Sequence, residues 1–92
     1  HEATFLESHS DIANEHLHST AAGAARTAIE CNAEHLAITH YSGRLDNPVA
    51  SLSEAREIHS SVIGLSDGDR LILNNDLSLT HLVKSPEGWT QQ

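Results

Sequence analysis

A single cysteine, Cys31, excludes an intrachain disulfide, and with it the small secreted scaffolds that cystine bridges hold together. The expectation is a reducing, cytoplasmic setting. Three aromatic residues, Phe5, Tyr41 and Trp89, are too few for a platform on which successive bases stack. Positive charge is scarce: five Lys and Arg stand against 13 Asp and Glu, a formal charge of -8, which removes the broad basic face of non-specific nucleic-acid binding. A metal ion or a local arginine can still bring positive charge to a phosphate. No apolar run approaches the roughly 20 residues of a membrane span, so no membrane partner is expected. Glycine-rich phosphate loops and internal repeats are also absent. The 92 residues suit one domain or part of one. They include no methionine, so a fragment or processed product is the expectation.

What is present reads as an α/β chain. Residues 7 to 16 are polar, with a turn or two of helix near Asp11. Ser19 and Thr20 precede the alanine-rich stretch from Ala21 to Cys31, and a hydroxyl residue before such a run is a helix start. Ala21, Ala25, Ala28 and Ile29 make its apolar stripe, and Arg26 and Glu30, four apart, can pair on the wet side. Residues 35 to 40 read as a buried strand that delivers His40 at its carboxyl end. Ser51 and Glu54 have the spacing of a capping box, opening a helix with Leu52, Ala55 and Ile58 inward. Val62, Ile63 and Leu65 then suggest a strand turning at Asp67-Gly68-Asp69 into a partner at Leu71-Ile72-Leu73. Leu77, Leu79, His81 and Val83 alternate along a further segment, and residues 85 to 92 read as a loose tail.

Eight histidines are the compositional excess, and three have a distinctive setting. His1 lies beside Glu2 at the chain start, where it is either a frayed terminus or a functional residue. His18 precedes the helix cap, where the ring, the Ser19 and Thr20 hydroxyls and helix amides can hold a phosphate, or where the hydroxyls only cap and His18 faces water. His40 is either a hydrogen-bonded structural histidine or a ligand or acid/base group. The others, His9, His35, His59 and His81 among them, read as surface or half-buried residues. No closed zinc site follows from the spacing, and Cys31 lacks the basic surroundings that make a thiol reactive.

Together these residues carry a family pattern. His1-Glu2-Ala3-Thr4-Phe5, then Ala13 and His18-Ser19-Thr20-Ala21, then Leu36-Ala37-Ile38-Thr39-His40-Tyr41-Ser42-Gly43-Arg44 resemble the C-terminal part of ribonuclease Z, the tRNA 3'-processing endonuclease family of the metallo-β-lactamase superfamily. The resemblance extends to about residue 73. It implies the C-terminal portion of an αββα sandwich; residues 1 to 84 are expected to form a partial domain of that kind, and 85 to 92, with Pro86 and Gly88, a flexible tail. It also implies an enzyme in which two zinc ions serve the hydrolysis of precursor tRNA. By the resemblance His40 is the last zinc-ligating histidine, and His1 with Glu2 lies near the scissile phosphate, His1 as proton donor. His18, Ser19 and Thr20 contact phosphate, and Arg44 lies near the substrate-facing loop. Where the family has tyrosine after that arginine, this chain has Leu45.

The aspartate- and histidine-rich metal motif of the family's first half has no counterpart among these 92 residues. The chain alone is therefore expected to bind zinc at most partially and to lack hydrolase activity. The expected partners are precursor tRNA in the complete enzyme, and the missing N-terminal half or a second copy of the chain. A non-catalytic interaction module and a piece of another zinc phosphodiesterase of the superfamily are the alternatives.

Overall fold

The computed structural model describes residues 1–43 and 48–92. After an extended start and a 3-10 turn at Glu7–His9 come α1 (Ser10–Glu15), α2 (Ala21–Glu30), β1 (Leu36–Ile38), α3 (Val49–Arg56) and β2 (Val62–Gly64). Three further strands follow: β3 (Arg70–Leu73), β4 (Leu79–Ser85) and β5 (Gly88–Gln91). Among the described residues no helix is long and apolar enough to cross a membrane.

The start of α2 forms as its sequence dictates. The Thr20 hydroxyl accepts the Gly23 N–H at 2.9 Å, which satisfies one of the amides a helix start leaves open. A Cβ on Gly23 would stand 3.1 Å from that same hydroxyl, so the glycine keeps room for the cap. At the other end Asn32 takes a left-handed φ of 56°, and the Ala33 N–H reaches back to the Ala28 carbonyl at 2.9 Å, closing the helix. Ala21, Ala22, Ala24, Ala25 and Ala28 are buried, and side chains this small let the helix backbone approach β1 and α3 closely. Ile29, expected on the same stripe, is 52% exposed. Arg26 pairs with Glu7 at 3.1 Å, across the fold, and not with Glu30.

Strand β1 pairs in parallel with β2, in the register Leu36 to Val62, Ala37 to Ile63 and Ile38 to Gly64, with α3 in the crossover between them. This corrects the expected hairpin. A helix between two strands returns the chain in the same direction, so β2 joins β1, and the turn at 66 to 69 leads into a different sheet. That second sheet is an antiparallel meander in the order β3, β4, β5. Its first hairpin turns at Asn74 to Leu77, where Leu77 has a φ of 70°.

The expected loose tail is also corrected. Residues 88 to 91 pair with β4, setting Trp89 opposite Lys84 and Gly88 opposite Ser85. The Trp89 ring lies under the Arg70 guanidinium, 3.8 Å from its centroid, and the indole N–H donates to the Gly68 carbonyl at 3.2 Å. Docking of the tryptophan on β3 and its approach turn gives the last strand its anchor.

Helix α3 begins at Val49 behind Pro48, two residues before the expected cap. Ser51 is consequently fully buried inside the helix, its hydroxyl without a partner, and Glu54 does not fold back on it. The Glu54 carboxylate instead accepts the Ala22 N–H at 2.9 Å and the Glu7 N–H at 3.0 and 3.1 Å. One carboxylate thus joins α3 to the positive end of α2 and to the 3-10 turn. The core that results is small: Ala3, Ala21, Ala24, Ala25, Ala28, Leu36, Ile38, Ala55 and Val62, with Tyr41 and Leu52 packed against it.

His59, expected near the surface, is buried. Its Nδ1 accepts the Ser61 N–H at 3.0 Å, which leaves the proton on Nε2 for the Ala33 carbonyl at 2.8 Å. A histidine with both ring nitrogens satisfied inside the protein is structural.

Candidate metal centre

The first five residues run extended along the carboxyl end of β1. The Ala3 N–H donates to the Thr39 carbonyl at 2.8 Å, the Thr39 N–H donates to the His1 carbonyl at 3.2 Å, and Glu2 bridges Thr39 in parallel sense. A second bridge, Phe5 to Thr20, sets the same segment against the start of α2. Three regions distant in sequence, around residues 2 to 5, 18 to 20 and 40, therefore meet. His40 leaves the strand with a φ of 62°, a left-handed conformation uncommon for residues other than glycine but more accessible to histidine, asparagine and aspartate than to most.

At the meeting point one donor atom each from Glu2, His18 and His40 lies within 4.8 Å of the other two. The two imidazoles stack at 5.4 Å between centroids with 24° between planes, and Phe5 meets His18 edge-on at 6.1 Å. Glu2 and His18 are half-buried and His40 is exposed, so one side of the cluster is open. Thr4, buried, sits inside it: its hydroxyl lies 2.7 Å from Glu2 Oε2, 2.8 Å from His40 Nδ1 and 3.2 Å from His18 Nδ1. The second carboxylate oxygen of Glu2 accepts the Ser19 N–H. Tyr41, the next residue after His40, braces the loop from behind, its hydroxyl within 3.0 Å of the Ile38 and 2.9 Å of the Leu65 carbonyl; burial raises its pKa.

Two imidazoles and a carboxylate are ordinary zinc donors, and three groups this close with one open side fit a partial, open zinc site. A closed structural site needs a fourth protein donor, and among the described residues the cluster offers three groups.

Burial pushes the Glu2 carboxyl upward, but the Thr4 hydroxyl and N–H and the Ser19 N–H and hydroxyl together hold it below the ordinary 4.5. Glu7 is also lowered, by the Thr20 hydroxyl and Arg26, and Asp69 by the Ser66 N–H and His81. A carboxyl whose folded pKa lies below its unfolded value contributes stability above the unfolded value, near 4, and loses it as pH falls through the folded one. The urea midpoint of the chain is therefore expected to hold from pH 7 to about 5 and to fall steadily towards pH 3. A midpoint unchanged down to pH 3 would count against these three contacts.

The residues that the sequence suggested separate here. His40 and Glu2 are in the cluster. His18, read with phosphate, stands beside them as a candidate metal ligand. His1 is outside it: its ammonium donates to the Ala37 carbonyl at 2.8 Å and its Nδ1 lies 2.7 Å from the Glu2 carbonyl. Arg44 lies outside the described residues.

The amides of the helix start, expected to help hold a phosphate, have partners within the protein. Those amides are filled from within: Ala21 donates to the Phe5 carbonyl, Ala22 to Glu54, Gly23 to the Thr20 hydroxyl and Ala24 to the Thr20 carbonyl. The Thr20 hydroxyl spends its proton on Glu7 at 2.6 Å. Thr4, Glu7 and Tyr41 carry no site reading in the sequence, and Glu54 reads there only as a helix-capping residue. Thr4 stood within a quoted motif, but a threonine two residues from a glutamate carries no spacing signal.

No family model matches the chain. Among curated proteins it is similar to the ribonuclease Z of Nitrosopumilus maritimus, 42% identical over 66 residues, which is 72% of this chain and 22% of that protein. It is similar also to that of Lactobacillus delbrueckii subsp. bulgaricus, 39% identical over 75 residues, covering 79% of this chain and 24% of the relative. The ribonuclease Z of Porphyromonas gingivalis is 40% identical over 73 residues, with the same 79% and 24% coverage. The chain thus spans under a quarter of the length of these curated relatives. Its helices and its parallel and antiparallel sheets are consistent with a metallo-β-lactamase-like fold. With the cluster of His18, His40 and Glu2 at the strand end, this similarity makes the chain a homologue of ribonuclease Z, in the metallo-β-lactamase superfamily, over a partial, C-terminal-like segment of that enzyme.

Proposed function

We propose that this chain is a segment or truncated homologue of a zinc-dependent endoribonuclease that cleaves precursor tRNA at its 3' end, and that it supplies one part of the metal site. The observation that carries this reading is the convergence of Glu2, His18 and His40 within 4.8 Å, on a chain homologous to ribonuclease Z. His18 and His40 hold one zinc ion, with Glu2 beside them. When bound, zinc supplies positive charge that polarises a phosphoryl oxygen. His1, one residue from the cluster, donates a proton to the leaving oxygen, and Ser19 faces the substrate; Arg44, outside the described residues, is the further substrate contact that the resemblance implies.

The ligands of the complete two-zinc site come from the missing N-terminal half, in the same polypeptide or in a partner, in the cytoplasm. A second copy of the chain is the other candidate partner, since Ile72, Leu73 and Leu77 lie exposed near one another in sequence. The filled amides at the start of α2 favour a second reading, a non-catalytic interaction module in which that helix end serves the fold.

Purified chain incubated with precursor tRNA and zinc is expected to release no mature 3' end. Metal-dependent cleavage that disappears in His40→Ala would overturn the proposed inactivity of the isolated chain.

A further inference from the structure

The Thr4 hydroxyl is within hydrogen-bond distance of three partners, yet it has one proton to give. Glu2 Oε2 accepts twice from this residue, from the hydroxyl at 2.7 Å and from the Thr4 N–H at 3.1 Å. The hydroxyl proton therefore goes to Glu2 Oε2 at 2.7 Å, and the lone pairs of the oxygen are what remain for His18 Nδ1 and His40 Nδ1. A lone pair can be met there only by an N–H.

We infer that Thr4 is a positioning residue that fixes both His18 and His40 as Nδ1–H tautomers, which leaves Nε2 of each ring as the nitrogen with a lone pair for a metal ion. Glu2 stands behind Thr4 as the anchor that turns its proton away from the rings. This deepens the metal-site reading proposed above and rests on it for the identity of the ion. Imidazole ligands elsewhere owe their orientation and tautomer to a hydrogen bond at the other ring nitrogen. Here one hydroxyl performs that task for two histidines. Its geometry can do so because the bridges from Glu2 to Thr39 and from Phe5 to Thr20 hold Thr4 between β1 and α2, and the Ser42 N–H donates to its carbonyl at 2.8 Å.

The inference has a readout independent of any catalysis. Long-range 1H–15N correlation spectra of the metal-free chain, with His18→Gln and His40→Gln for assignment, report which ring nitrogen carries the proton. Both rings are expected in the Nδ1–H form in the parent chain and to lose that preference in Thr4→Val, which keeps the shape and removes the hydroxyl. Thr4→Ser is expected to restore it. Cobalt and zinc affinity, read by competition with a chelator, is expected to fall about 10- to 100-fold in Thr4→Val and to recover in Thr4→Ser.

An Nε2–H form on either ring of the parent chain overturns the inference even if Thr4→Val fails to fold. So does unchanged metal affinity in a folded Thr4→Val. A parent chain that shows both Nδ1–H tautomers but binds neither metal leaves the role of Thr4 standing and contradicts the metal-site reading instead.

Discussion

Replacing His18 with alanine is expected to weaken zinc and cobalt binding by about 100-fold or more, with the far-UV spectrum of the chain unchanged. The size follows from sharing the roughly 10–16 kcal/mol of a four-ligand zinc site among its donors, about 3 kcal/mol for each. His18 is half-buried, and its ring meets Phe5, His40, the Thr4 hydroxyl and Glu2, all outside α2, so that helix does not depend on its imidazole. His40→Ala is expected to have the same effect on the metal. His9→Ala, at an exposed residue outside the cluster, is expected to leave the affinity as it was. Equal affinity in the parent chain and in His18→Ala would remove this residue from the site.

The largest expected effect on stability lies in Ile38→Ala. Ile38 is the largest side chain in the core that is wholly buried, and its neighbours are mainly alanines, which cannot reach into the space it would leave. Its partner in the parallel register is Gly64, which has no side chain to offer. A site that cannot collapse sits at the costly end of the range for large-to-small substitution, about 4 kcal/mol. For a domain of this size that is a fall in Tm of roughly 15–30 °C. Ile29→Ala, on the exposed side of α2, is expected to change stability by no more than about 0.5 kcal/mol. Thermal unfolding of the two variants side by side checks the assignment. Similar losses in both would mean that the small-residue core has been misplaced.

The parts legible in the sequence were those whose signals are local. Thr20 before an alanine-rich run marked the start of α2, and the apolar stretch before His40 marked β1. The parallel pairing of β1 with β2 was not legible, because Val62 and Ile63 carry the same alternating signal whether the partner strand precedes or follows them. The helix around Ser51 was found but its start misplaced. Serine three residues before glutamate satisfies a capping pattern, whereas the partners of Glu54 are amides at residues 7 and 22, which no local window contains. His59 was misread for the same reason, since the carbonyl that satisfies it belongs to Ala33. The last strand was missed because Pro86 and Gly88 read as breakers, although they bracket a tight hairpin that Trp89 pins to β3.

The site divides along the same line. His18 and His40 were visible as histidines in unusual settings, and the family resemblance placed His40 on metal. That His18 joins it, and that Thr4 lies between them, depends on the extended segment 1 to 5 running alongside β1 and meeting α2, which is tertiary information. The role expected for the amides of the helix start fell to a carboxylate from α3 that sequence alone did not connect with them.

The central claim is that this chain carries one share of a zinc site and not the whole of it. Isothermal titration of zinc into the metal-free chain tests this most directly. The expected result is one zinc ion per chain, lost in the His18→Ala and His40→Ala variants. Two ions bound per monomeric chain, or no binding at all by a chain that is folded, would contradict it.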